Sequence, residues 1–284
     1  MKIIRRISLA CFACLVAVGL LWIRPATPSY GDRLYQSHAG DRPVPTLAVA
    51  QAPRQPVQSE RVTYATSDGV PVDGYLSRPM DAAESLPGLI VIHEWWGLND
   101  NIKMMSDRLA GEGYMALAVD LFNGSVADTR EGALAQVQAA AEQTERLKDN
   151  LRQAYQYLVE QGATSVGSIG WCFGGSWSLQ AALALPDQLD ATVIYYGGQL
   201  VTDLAVLEPL EMPILGIFGS IDNNPSVETV RLFETALNAL DKSVEIHIYE
   251  GADHAFANPS GTRYNEAAAE AAWQETLDFL SEYL

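Results

Sequence analysis

The sequence predicts an α/β fold: a mainly parallel sheet with helices on both faces and an antiparallel hairpin at its amino-terminal edge. Three observations carry this. From residue 88 to the end, short apolar runs alternate with helical patterns, as in a chain of βα units. Runs such as GLIVI (88–92) and YMALAV (114–119) are continuously apolar, as strands covered on both faces are. Residues 61–79 instead alternate apolar and polar around Asp68-Gly69, the pattern of a hairpin.

The amino terminus stands apart. Lys2, Arg5 and Arg6 precede seventeen uncharged residues, Ile7 to Ile23. A basic start before an apolar stretch is an export signal, and seventeen residues are also just enough to span a bilayer. Residues 1–23 are therefore expected to be a cleaved signal peptide or a retained membrane anchor, with 7–23 as the tether in the second case. Either way the positive-inside rule places residue 24 onward outside the cytoplasm, periplasmic or extracellular. Residues 24–60 hold six of the fourteen prolines with little apolar periodicity and read as a Pro-rich linker. The folded domain is expected over 61–284.

Within that domain, helical spacing covers 99–112, one or two helices 127–161, and further helices 175–185, 226–240 and 263–283. After the hairpin and the runs at 88–93 and 114–122, strands are expected at 165–172, 191–197, 213–219 and 243–251. Residues 61–284 carry eleven basic and thirty-two acidic side chains. So acidic a body repels phosphate backbones, which excludes nucleic acid as a partner and disfavours polyanionic substrates.

The chemistry starts from GSIGWCFGGSWS, residues 167–178. Gly170-x-Cys172-x-Gly174 has the spacing of a nucleophile elbow, a sharp strand-to-helix turn whose flanking positions tolerate no side chain. The turn lifts the sulfur above the sheet beside a helix amino terminus, which favours a thiolate. Cys11 and Cys14 lie in the export segment, so the body holds a single cysteine and no internal disulfide. Asp222 follows the strand at 213–219 and His254 the strand at 243–251. Nucleophile, acid, histidine is the chain order of the α/β-hydrolase fold. His254 is favoured over His38 in the linker, His247 inside a strand and His93 at a strand end. Asp222 is favoured over the adjacent Asp253, because a residue seldom folds back onto its neighbour's ring. Glu94, just after the strand at 88–93, stands where it could hold or receive the thiol proton. The backbone N–H groups of Phe173 and Trp95 are the expected oxyanion donors.

Taken together, HEWWGLND (93–100), AVDLF (118–122), GWCFGG (170–175), FGSID (218–222) and DHAF (253–256) resemble the dienelactone hydrolase family, over 61–284. The resemblance implies a compact α/β-hydrolase with little or no lid and no metal or organic cofactor. It implies a triad of Cys172, Asp222 and His254, with Glu94 pairing the thiol at rest and taking its proton when substrate arrives. The reaction it implies is hydrolysis of an enol lactone through an acyl-thioester enzyme. Two positions depart from the pattern of some members: Phe122 replaces a tyrosine, and Asn258 replaces an arginine that grips a substrate carboxylate. With Trp96, these two residues are expected to line the substrate pocket. The departures and the acidic body turn the reading from a dicarboxylate to another small ester or lactone, acted on by a monomer. A non-catalytic ligand-binding protein on the same scaffold, or an acyltransferase using the same triad, are the rival readings.

Overall fold

The computed structural model describes residues 28–41, 52–81 and 85–284. The export segment expected at 1–23 lies outside them. Among the described residues no helix is long and apolar enough to cross a membrane. In chain order the elements are α1 (Tyr30–Ser37), β1 (Val57–Ser67), β2 (Val70–Pro79), β3 (Gly88–Ile92), α2 (Asp100–Gly111), β4 (Met115–Val119), α3 (Arg130–Ala141), α4 (Thr144–Glu160), β5 (Val166–Trp171), α5 (Phe173–Ala184), β6 (Ala191–Tyr195), α6 (Leu204–Leu207), β7 (Ile214–Gly219), α7 (Val227–Asn238), β8 (Val244–Tyr249) and α8 (Glu266–Tyr283).

The eight strands form one sheet in the order β1-β2-β4-β3-β5-β6-β7-β8. β1 and β2 are antiparallel to each other, β2 is antiparallel to β4, and all other pairings are parallel. This is the α/β-hydrolase arrangement that the strand–helix alternation predicts. β3 through β7 are buried along their whole length, which is why their sequences show no period of two.

Right-handed crossovers distribute the helices. The step from β3 to β4 runs one way along the sheet and every later step runs the other, so α2 lies on the face opposite α4, α5 and α7. The Arg108 guanidinium sits 3.6 Å from the Trp273 ring centroid and seats α8 beside α2. The direction of winding reverses at β3, which makes the crevice at the carboxyl ends of β3 and β5 the place for a site.

Of the stretch 24–60, residues 28–41 and 52–60 are described, and they are not the structureless linker its prolines indicate. Residues 28–41 contain α1, started by a capping box in which Ser29 and Asp32 bond each other's backbone N–H, a device that fixes a helix start. Leu34 is fully buried, the Tyr35 hydroxyl donates to Glu131 at 2.7 Å, and the Arg130 guanidinium lies 4.0 Å over the Tyr35 ring. The Tyr30 hydroxyl reaches Ser176 at 3.1 Å. The hairpin also starts earlier than 61, at Val57. The signal for α1 was legible, Ser-x-x-Asp before a single buried leucine, but two turns carry too little periodicity to stand out against the prolines around them.

The junction of β5 and α5 is closely packed. A Cβ at Gly170 would collide with the Gly174 carbonyl, and one at Gly174 would strike the Ile92 and His93 carbonyls at the end of the adjacent strand β3. These obstacles are backbone and cannot swing aside. Gly174→Ala is therefore expected to cost about 3 kcal/mol, read as a lowered Tm, whereas Gly124→Ala, where a Cβ has open space but φ is +82°, should cost only about 1 kcal/mol of backbone strain.

Candidate active site

Cys172 sits between β5 and α5 with φ +59° and ψ −114°, a conformation a non-glycine side chain rarely adopts. The elbow glycines allow it, because β5 and α5 could not otherwise approach closely enough to turn the chain there. The sulfur lies at the switch point of the sheet, and Cys172 is 0% exposed.

Asp222 and His254 come to the same rim from loops after β7 and β8. His254 Nδ1 is 2.9 Å from Asp222 Oδ2, and both side chains are buried. The other Asp222 oxygen accepts from the Asn224 N–H at 2.7 Å, so the carboxylate both shapes its turn and fixes the ring. Asp253, the rival acid, accepts from the His254 backbone N–H instead. His254 Nε2 is buried without a hydrogen-bond partner among the described residues. The structure thus brings together the three groups the sequence singled out, with a ring nitrogen of His254 within 4.8 Å of the sulfur.

The hydrogen bond at the sulfur comes from elsewhere. His38 Nε2 is 3.2 Å from Cys172 Sγ, and His38 Nδ1 is 2.7 Å from Asp41 Oδ2. The Arg263 guanidinium donates to Asp41 Oδ2 at 2.7 Å and Thr262 donates to Oδ1 at 2.9 Å. The His38 ring stacks on Trp95 with centroids 4.5 Å apart and is only 1% exposed. In the sequence His38 reads as a linker residue. Cys172 lies 134 residues from His38, and Arg263 lies 222 residues from Asp41, and nothing local in the sequence marks such contacts. The residues that carry His38 also cover the site, where the resemblance implies little lid.

Glu94 is buried in the loop after β3. Its Oε2 accepts from Asn258 Nδ2 at 2.7 Å, and Oε1 has no partner among the described residues. The resting partner expected for the thiol was Glu94, yet the hydrogen bond at the sulfur is with His38. Among the described residues the backbone N–H groups of Trp95 and Phe173 make no backbone hydrogen bond outside their own helix or strand. His93, a candidate support, is held neutral: burial lowers its pKa, and its Nε2 accepts from the Leu121 N–H at 3.1 Å. His247 is half-exposed beside Glu245 and Glu275.

Of the expected pocket residues, Asn258 lines an apolar cavity with Glu94, Met105, Trp171, Tyr196 and Trp273. Trp96 and Phe122 do not. Trp96 packs on Trp95 at 4.8 Å, and Phe122 lies between His93 and Phe173 at 4.7 and 5.0 Å. Both fill the core behind the site, the commoner use of buried aromatic rings. Tyr196, which no sequence motif marks, faces His254 at 5.3 Å, and its hydroxyl is buried without a partner among the described residues.

The electrostatics follow from burial and charge. Burial alone would raise the Cys172 thiol, but the His38 and His254 imidazoles beside it pull it down to about 6. Burial would lower His254, and Asp222 and the sulfur overcome this and hold it well above its ordinary value. Burial, then the nearby sulfur, pushes Glu94 up to about 7. Against burial, the nearby sulfur raises His38 as well, so the shifts of the three groups all run toward a thiolate flanked by imidazolium. The donor atoms of His38, Cys172 and His254 lie within 4.8 Å of one another and could hold a soft divalent metal. Each ring also has a carboxylate on its other nitrogen, as metal-bound histidines do. The same arrangement equally serves acid–base and nucleophilic chemistry.

The comparisons with known proteins agree with this geometry. The model of the dienelactone hydrolase family matches residues 72–284. A Saccharolobus solfataricus protein named "Putative carboxymethylenebutenolidase" is 32% identical over 259 residues, 78% of this chain and 98% of its own. Protein usf of Aquifex pyrophilus is 35% identical over 228 residues, 76% of this chain and 96% of its own. The fold matches that of a dienelactone hydrolase-like promiscuous phosphotriesterase from metagenomic libraries, with a TM-score of 0.73 at 24% identity, covering 80% of this chain and 98% of that one. A sheet that winds both ways from β3, an elbow at its switch point and a family match over three quarters of the sequence lead to one assignment: the chain belongs to the dienelactone hydrolase family of α/β-hydrolases.

Proposed function

We propose that this hydrolase cleaves a small ester or lactone through an acyl-thioester on Cys172, with His254 as acid–base and Asp222 as its orienting carboxylate. The observation that carries the reading is the meeting of a strained, buried sulfur with a histidine whose Nδ1 is tied to Asp222 at 2.9 Å and whose Nε2 has no other partner among the described residues. The thiolate attacks the acyl carbon, and the Trp95 and Phe173 N–H groups receive the oxyanion. The tetrahedral adduct collapses, His254 gives its proton to the leaving oxygen, and the alcohol departs. Water, losing a proton to His254, attacks the thioester, and the sulfur leaves as a thiolate. The cavity beside Asn258 and Tyr196 would take the acyl group. Its apolar walls favour an uncharged or aromatic acid, and Asn258 offers an amide rather than a cation. The carboxymethylenebutenolidase name of the relatives points to the same lactone chemistry. The reading includes export, with the segment at 7–23 as signal or anchor.

The test is a panel of small esters and lactones offered to the wild-type chain and to Cys172→Ala. Turnover by the first and none by the second supports the reading; tight binding with no turnover of any of them would favour a ligand-binding protein. The pH profile adds a second check. The Cys172 thiol lies below its ordinary value, at about 6, so the thiolate is present above that pH and is lost as the pH falls through it. kcat/KM is expected to have an acid limb near 6, followed by steady-state assay across pH. An acid limb near the ordinary thiol value would contradict it.

A further inference from the structure

We propose that His38 and Asp41 form a second imidazole–carboxylate pair acting directly on Cys172, in which the His38 imidazolium holds the sulfur as a thiolate and leaves His254 alone to carry the moving proton. The proposal rests on the acyl-thioester reading above and extends its machinery to a segment outside the family match, which begins at residue 72.

The geometry of the two pairs is parallel. His254 Nδ1 is 2.9 Å from Asp222 and His38 Nδ1 is 2.7 Å from Asp41. In both, the carboxylate fixes the tautomer so that Nε2 is the working nitrogen. His38 Nε2 is the one at hydrogen-bond distance, 3.2 Å from Sγ. Trp95 stacks on one side of the ring, and the two imidazoles meet edge to face with centroids 5.1 Å apart. Asp41 is fixed in turn by Thr262 and Arg263. The Arg263 Nε also donates to the His254 carbonyl at 2.7 Å, so one guanidinium holds the carboxylate of one pair and the backbone of the other.

A segment that served only as a cover would bury apolar groups. This one buries an imidazole and a carboxylate, and draws a guanidinium onto them. Burying such groups is costly unless they are paired, and their pairing here ends at the sulfur. The charged and titratable groups facing His38 are Asp41, Cys172, His254 and Glu94, with Arg263 behind Asp41. Burial disfavours a charged sulfur, and a neighbouring cation offsets that cost.

The division of labour balances at each step. At rest Cys172 is a thiolate and both rings are protonated. The S–C bond forms, the acyl carbon–oxygen bond breaks, and the proton on His254 goes to the departing oxygen. His254, now neutral, takes a proton from water as the hydroxide adds to the thioester. The C–S bond breaks and the sulfur leaves as a thiolate toward His38, which has kept its proton throughout. A single imidazole would have to stabilise the thiolate and move the proton in turn.

The experiment compares wild type, His38→Gln, Asp41→Asn and Cys172→Ala. Thiolate content is followed by ultraviolet absorbance across pH, with Cys172→Ala as the blank, and acyl-enzyme formation and breakdown are timed by rapid mixing. In His38→Gln the midpoint of thiolate ionisation is expected to rise by about two pH units, and acylation at neutral pH to slow about 100-fold. Asp41→Asn should move both in the same direction by less. Circular dichroism checks that the variants fold. Should His38→Gln fail to fold, Asp41→Asn carries the same readouts, and His38→Ala with added imidazole should regain part of the lost rate. A wild-type midpoint and rate in the folded variants would overturn the proposal. So would a faster rate in His38→Gln, which would make the segment a cover over the site. Hydrolysis surviving in Cys172→Ala would instead sink the acyl-thioester reading, while the thiolate titration still reports whether His38 sets the state of the sulfur.

Discussion

Cys172→Ala is expected to reduce ester and lactone hydrolysis to background, a loss of about 10⁵-fold or more in kcat, with the fold retained. The magnitude follows from the site. The sulfur is the atom at which the His38 and His254 imidazoles converge. Without it, water would have to attack directly from a pocket not arranged for it. Alanine is small and the elbow backbone stays in place, so the thermal transition should move little. Cys172→Ser separates nucleophilicity from geometry. A hydroxyl is a far weaker acid than a thiol, and imidazolium ions that stabilise a thiolate do not deprotonate it. Serine should therefore lose at least about 100-fold. Steady-state kinetics of the purified variants on one activated ester measures both, and a serine variant at the wild-type rate would contradict the thiolate argument.

His254→Ala should cost nearly as much as losing the sulfur, about 10⁴-fold in kcat with KM little changed, because His254, held by Asp222, is the group proposed to give the leaving oxygen its proton. His38 faces the sulfur but remains protonated in the proposed cycle. Asp222→Asn tests the orienting role alone. An amide in place of the carboxylate can select the wrong imidazole tautomer and no longer balances the imidazolium, which in a comparable triad costs about 10⁴-fold. Asp253→Asn is the control: Asp253 receives the His254 backbone N–H, and the change should leave the rate within a few-fold. Equal losses from Asp222→Asn and Asp253→Asn would mean that the acid has been misplaced.

The sheet was legible because its strands are buried on both faces, and a continuous apolar run such as 88–92 has few other uses at that length. The elbow was legible because its constraint is local: two glycines and a cysteine at fixed spacing, where any added Cβ meets backbone. Asp222 and His254 could be placed because a parallel sheet sends the loops after its strands to one rim. His38 could not. It reaches the sulfur through tertiary contacts of a short helix that follows a proline-rich stretch, and those contacts leave no period in the sequence. Of the three residues expected in the pocket, only Asn258 lines the apolar cavity. Trp96 and Phe122 sit close to the site in sequence, but burial turns their rings into the core, while the cavity is walled by α2 and α8 residues such as Met105 and Trp273. Aromatic content near a motif tells of packing before it tells of substrate.

The central claim is that Cys172 becomes acylated during turnover. Wild-type protein mixed with an activated aryl ester, quenched within the first turnovers and analysed by intact mass and peptide mapping, should carry one acyl group on Cys172. The adduct should decay at the rate of steady-state hydrolysis, and its formation should slow in His38→Gln. Continued hydrolysis with no adduct on Cys172, or with the acyl group on another side chain, would contradict the account.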